Sequence, residues 1–170
     1  MEALWAHSLA VGRRAKALAS RVAPVWAADA FTAGLLHDLG NVVLAQNFPA
    51  EYREIQRLVE YSHLTPTEAE NQVLGICPSS LGAYLLELWG LPNSIVEAVA
   101  FFPHPSTYES YSFRPLTAVH LANTLEKVGD EEVLAHPDRY LDMTYLQNLG
   151  ALEKLPQWVQ YTLGQNALAT

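Results

Sequence analysis

Residues 31–40 read FTAGLLHDLG, an apolar run that sets His37 directly beside Asp38. The aliphatic spacing on either side is helical, and it predicts a second helix from about Val25 to Leu39, with Gly40 as its C-cap. Inside so apolar a segment, two neighbouring polar side chains need a purpose. Imidazole nitrogen and carboxylate oxygen both bind divalent cations. Both can also be buried, provided hydrogen bonds replace the lost water. The doublet is therefore either a metal centre or a polar pair held inside a helical core.

Working outward, the pattern stays helical. Strict alternation over the length of a strand is missing, and so are Asn-Gly and Asp-Gly hairpin signals. Residues 2–23 carry a stripe of Leu4, Val11, Ala15, Leu18 and Val22, with His7 on its shoulder, and Pro24 ends that helix. Beyond Gly40 a short helical or irregular piece reaches Asn47, and Pro49 opens the next helix. Thr65-Pro66-Thr67-Glu68 is a capping box with proline at the first helical position. Further helices open at Pro78, ending at Gly90, and at Pro92. Residues 103–115 form a long loop, followed by a helix over 116–128, a polar broken stretch over 129–142, and short helices over 144–149 and 156–168. The expectation is an all-α bundle of about seven to nine helices without a sheet, forming one domain over residues 1–170. Trp89 and Trp158 are expected in its core.

Composition narrows the function. The chain has 170 residues, half of them hydrophobic, and a formal charge of −8 with pI near 5.1. That balance argues against bulk binding of nucleic acid, which needs clustered positive charge to displace counterions from phosphates. Four of the ten basic residues, Arg13, Arg14, Lys16 and Arg21, lie in the first 21 positions. They read as a solvated helix face or as a contact for an acidic partner. The single cysteine, Cys77, excludes an internal disulfide and any CxxC metal site. The opening residues lack the pattern of a signal peptide, and no apolar run is long enough for a membrane span, so a cytoplasmic protein is expected.

Three stretches then line up: WAHSLAVGRRAKALA (5–19), FTAGLLHDLGNVVLAQNFPAEY (31–52) and LGAYLLELWGLPNSIVEAVAFF (81–102). Together, and in this order, they resemble the HDOD family, the HD-related output domains of bacterial signalling proteins. The resemblance runs from Trp5 to about Asn123. More distantly, it places the chain in the HD superfamily of metal-dependent phosphohydrolases. It implies an HD-like helical bundle that is regulatory rather than catalytic and that works beside other signalling modules. It also implies a helical segment upstream of the Trp-x-His-Ser motif, which this sequence, with four residues before Trp5, does not contain. The chain is thus expected to correspond to the later, HD-like part. Its expected partner is the missing segment or another protein, with a second copy of this chain also possible.

The resemblance also assigns a site. His7 matches the first histidine of the HD set, His37 and Asp38 match the doublet, and Asn123 stands where a late aspartate belongs. Pro78 and Pro103 occupy places where the family often has histidines; a slip of one residue at His104 would restore a single imidazole. Only two histidines and one carboxylate remain, with no general base or phosphate-binding cation in view. Arg14 alone shares the side of His7 on the helical wheel. The leading expectation is a vestigial pocket of His7, His37, Asp38 and Asn123, with no catalysis and no cofactor. At most a single divalent metal would sit on His7, His37 and Asp38. Asn123 would hydrogen-bond to Asp38 or His37, and His37 would find partners for both ring nitrogens. Two other readings stand beside it: a phosphohydrolase acting on a nucleotide or cyclic dinucleotide, and a ligand-binding module that keeps the pocket. Trp5 and Leu9 point away from the stripe of the first helix and are candidates for a partner contact. Tyr108, Tyr111 and Phe113 in the long loop either form an interaction surface or fold back over the core. His63 and His136 read as solvated, and His120 as a core or shoulder residue.

Overall fold

The computed structural model describes residues 2–62 and 64–164, apart from the side chains of Glu2, Ala3, Pro66 and Thr67. His63, expected to be solvated, lies outside the described residues. Among them the structure is helical throughout, with no strand. The elements are α1 (Glu2–Val22), α2 (Ala27–Leu36), α3 (Leu39–Asn47), α4 (Pro49–Tyr61), α5 (Pro66–Leu74), α6 (Pro78–Leu88), α7 (Asn93–Phe101), α8 (Pro115–Val128), α9 (Asp130–Ala135), α10 (Pro137–Tyr140), α11 (Met143–Asn148) and α12 (Leu155–Thr162). Prolines open many of them, because a first-turn N–H has no intrahelical acceptor to lose.

α8 is the axis of the fold. Every residue from Pro115 to Leu125 is buried, and α1, α2 and α7 pack around it. A helix covered on all sides must satisfy its own polar side chains. Thr117 Oγ1 meets the Tyr145 hydroxyl at 2.7 Å. The Thr124 hydroxyl donates to the His120 carbonyl at 2.9 Å. His120 donates from Nδ1 to the Phe102 carbonyl (2.8 Å) and accepts the Asp142 N–H at Nε2 (3.1 Å). Both nitrogens of this core histidine are therefore used in its neutral form.

Burial lowers the pKa of His120, although the Phe102 carbonyl and Asp142 pull the other way. The unfolded chain takes up this proton near pH 6.5 and the folded chain does not. Stability is therefore intact above that pH and falls as the pH drops below it, by up to about 1.4 kcal/mol per pH unit for this one group. Urea midpoints measured between pH 8 and pH 5.5 should decline below pH 6.5. A midpoint that rises on acidification would contradict the assignment.

Two helix crossings depend on glycine. α1 and α2 touch where a Cβ on Gly34 would stand 2.8 Å from the Cα of Gly12. α3 and α6 touch where a Cβ on Gly40 would run into the carbonyl of Pro78. The first contact brings His7, five residues before Gly12, against His37, three residues after Gly34. The second lays the start of α6 across the start of α3. Gly40 is thus a packing residue within α3 and not the C-cap expected from the sequence. α2 ends at Leu36, and the continuation to Asn47 is a full helix.

Other expectations also need correction. The stretch over 129–142 is not irregular but carries α9 and α10. Trp158 is buried, but Trp89 is 62% exposed. The cause lies in the end of α6: Gly90 turns with φ +74°, and the Leu91 N–H reaches back to the Leu86 carbonyl at 3.1 Å. In that cap the residue after the glycine makes the apolar contact, so Leu91 packs on the core and the indole stays outside. The capping box at Thr65 and Glu68 is formed as expected.

Candidate functional site

The His-Asp doublet lies at a junction and not inside a helix. His37 is the C-cap of α2, and Asp38 is the N-cap of α3. A carboxylate there meets the positive end of α3. Asp38 Oδ1 accepts from the Asn41 side-chain amide at 3.1 Å. Both residues are buried, His37 at 1% and Asp38 at 6% exposure.

His37 donates from Nδ1 to the Gly34 carbonyl at 2.7 Å. That bond fixes the tautomer and leaves Nε2 as a lone pair, in the manner of a metal-ligating histidine. Nε2 is buried without a hydrogen-bond partner. It faces Asp38 Oδ2 at 3.5 Å, and the His7 ring lies edge-on to it with centroids 5.3 Å apart. The sequence expectation that both nitrogens of His37 are satisfied is therefore wrong. Asn123, which should have served it, is taken by His7, whose Nε2–H donates to Asn123 Oδ1 at 3.2 Å. Burial holds the pKa of His37 below the ordinary imidazole value, against the pull of Asp38.

His7, His37 and Asp38 each offer a ligand atom, and these atoms lie within 4.8 Å of one another. This donor set, which includes the orphaned Nε2 of His37, has the atom types for one divalent cation once the Nε2 proton of His7 is displaced, with Asn123 as a neutral neighbour. A single ion bound there would polarise a water molecule and neutralise phosphoryl charge.

His37, Asp38 and Asn123 line a cleft of about 680 Å³, with His7 set behind them against Asn123 and the His37 ring. Pro78, Phe101 and Phe102 form apolar walls, and His104 and Pro103 stand at the end of α7. Sequence reasoning missed three charged residues here, among them Glu68, which it read only as half of the capping box. Lys127 lines the cleft from α8, one helical turn after Asn123, and the i, i+4 spacing was the available signal. Glu70 lines it from α5, and no sequence signal places α5 over the doublet. Burial raises the Glu70 pKa, with Lys127 opposing and Asp38 adding to the rise. Arg14 is not a site residue: Nε pairs with Glu126 at 2.5 Å and Nη1 with Asp130 at 2.7 Å.

On the other side of Asp38 lies a smaller, apolar groove of about 190 Å³, walled by Leu4, Trp5, Leu35, Leu36, Leu39 and Val42. Trp5 is 63% exposed there, while Leu9 is half-buried. Of the loop aromatics, Tyr108 stacks on Phe101 (5.1 Å) and Phe113 packs on Trp158 (5.4 Å). Both fold back onto the core, and Tyr111 alone stays exposed, at 73%. His136 is exposed, as expected.

Comparison with known proteins agrees with this fold. A solved HDOD domain protein of unknown function from Geobacter sulfurreducens superposes with a TM-score of 0.72 at 22% identity, covering 94% of this chain and 62% of that one. A protein from Shewanella amazonensis SB2B, provisionally named a phosphohydrolase, gives 0.69 at 21% identity, covering 93% and 62%. One from Marinobacter aquaeolei VT8, provisionally named a signal transduction protein, gives 0.63 at 25% identity, covering 94% and 37%. An uncharacterized protein of Treponema pallidum (strain Nichols) is 25% identical over 131 residues, which is 76% of this chain and 25% of that protein. The chain thus spans less than two thirds of each of these relatives. The HDOD domain profile matches residues 1–105. The chain belongs to the HDOD domain family, within the HD superfamily. Among the described residues, no helix is long and apolar enough to cross a membrane.

Proposed function

We propose that this chain is a regulatory, non-catalytic HD-related domain that acts through protein contacts. One observation carries the reading: the late ligand position holds Asn123, whose carbonyl takes the Nε2 proton of His7. A neutral amide thereby replaces a carboxylate and occupies a second ligand of the set. The surroundings support the same reading. A phosphate ester entering the cleft would meet Asp38, Glu68 and Glu70, with Lys127 the only lysine or arginine of the lining among the described residues. The contact surface we assign is the groove at Trp5, because Asp38 borders both it and the cleft. A partner helix seated on Trp5 would press on the doublet directly.

The test is the Asp38→Ala variant. It removes the acceptor of Asn41 and the carboxylate beside His37, and should lower stability by about 1–3 kcal/mol in urea denaturation. Neither variant nor parent should hydrolyse nucleotides or cyclic dinucleotides with Mn²⁺. Hydrolysis by the parent that disappears in Asp38→Ala would establish the alternative, a phosphohydrolase using His7, His37 and Asp38. The orphaned Nε2 of His37 is the observation that favours that alternative.

A further inference from the structure

We infer that the cleft takes a small organic cation, a protonated amine on an apolar body, and not a phosphate ester. The inference rests on the non-catalytic reading of the cleft and names its ligand class. A buried acceptor with no donor is the first observation. His37 Nε2 has its proton on the other nitrogen, finds no partner, and lies 3.5 Å from a second acceptor, Asp38 Oδ2. Two neighbouring lone pairs call for a donor that bridges both from one side, and an ammonium group brings three N–H bonds and the positive charge the carboxylate needs.

The charge of the lining is the second observation. Asp38, Glu68 and Glu70 share the lining with Lys127, its only lysine or arginine among the described residues. Glu70 is half-buried, so its carboxylate is screened less than a surface one. Glu68 spends one oxygen on the Thr65 N–H and hydroxyl and adds charge at the mouth. An anion would be repelled from this lining and a cation attracted. The third observation is shape and polarity. Phe101, Phe102 and Pro78 offer apolar wall next to the acceptors, and the volume lies within the range of small-molecule sites, about 300–1,000 Å³.

The experiment uses the full chain, stripped of metal with a chelator, and three matched probes at neutral pH: phenethylamine, 2-phenylethanol and phenyl phosphate. Binding is followed by calorimetry and by the ¹⁵N resonances of the His37 ring. The amine should saturate and shift Nε2, the alcohol should bind at least about tenfold more weakly, and phenyl phosphate should not compete. Glu70→Gln, on the cleft wall, should cost the amine about tenfold and leave the alcohol unchanged. The inference is overturned if the amine fails to bind, if amine and alcohol bind alike, if phenyl phosphate binds as well as the amine, or if Glu70→Gln leaves the amine unaffected. Mn²⁺ added alone serves as the separating arm. Turnover of a phosphate ester with Mn²⁺ overturns the non-catalytic reading itself, whereas failure of the amine without turnover overturns only the ligand class.

Discussion

Gly40→Ala is expected to destabilise the fold by about 3 kcal/mol or more, or to prevent folding. The added methyl would enter the carbonyl of Pro78 and also approach its Cα at 3.1 Å. Backbone atoms cannot rotate aside as a side chain can, so α6 would have to lift from α3. That crossing holds Pro78 in the cleft wall and brings Gly82 within reach of Gly40, where a Cβ would stand 3.1 Å from the Gly40 nitrogen. Gly90→Ala is the natural control. It has φ +74° but nothing within 4 Å of an added Cβ, so its cost is the left-handed strain alone, about 1–2 kcal/mol. Urea denaturation of both variants separates the two causes. Equal midpoints would mean that α3 and α6 do not touch as described.

That glycine also marks the limit of what the sequence discloses. The all-helical class was legible, because apolar spacing and helix-opening prolines are local signals, and so was the capping box at Thr65. The His-Asp doublet and its distant companions, His7 and Asn123, were legible through the motif they share with a family. Which of those companions meet was not. The sequence suggested Asn123 bonded to the doublet. The packing of α1 on α8 instead sets His7 on Asn123, while the close approach of α1 and α2 at Gly12 and Gly34 brings the His7 ring against His37, whose Nε2 is left without a partner. Gly40 read as a cap because glycine at the end of an apolar run is usually one, and only the packed helices distinguish a close crossing from a turn. Trp89 misled for a different reason: the cap at Gly90 is local and turns Leu91 inward, but a large indole beside it reads as core when the cap is not followed through. Glu70 reaches the cleft because α5 folds over it, a placement that no spacing in the chain encodes.

The arrangement of Asn123 yields the second large effect. Asn123→Asp should tighten Mn²⁺ binding by about 100-fold, close to 2.7 kcal/mol. A unit negative charge some 4 Å from a divalent ion in a partly shielded site supplies that much even after generous screening. The substitution has a second consequence at His7. In the parent, the Asn123 carbonyl holds the Nε2 proton of His7, so the lone pair that would ligate is on the wrong nitrogen. An aspartate can still accept that bond, but once a cation arrives it can ligate as well, and the ion compensates for the lost proton. Without metal the variant should be less stable than the parent, because a second carboxylate is placed beside buried Asp38. With Mn²⁺ the order should reverse. Calorimetric titration of the stripped proteins, with thermal unfolding in chelator and in Mn²⁺, reads both signs. If Asn123→Asp binds Mn²⁺ no better than the parent, His7, His37 and Asp38 do not form a ligand set. If it binds tightly yet hydrolyses nothing, Asn123 is only one of the losses. The proline at 78, the proline at 103 and the carboxylates around the mouth are then enough to keep the cleft from phosphoryl chemistry.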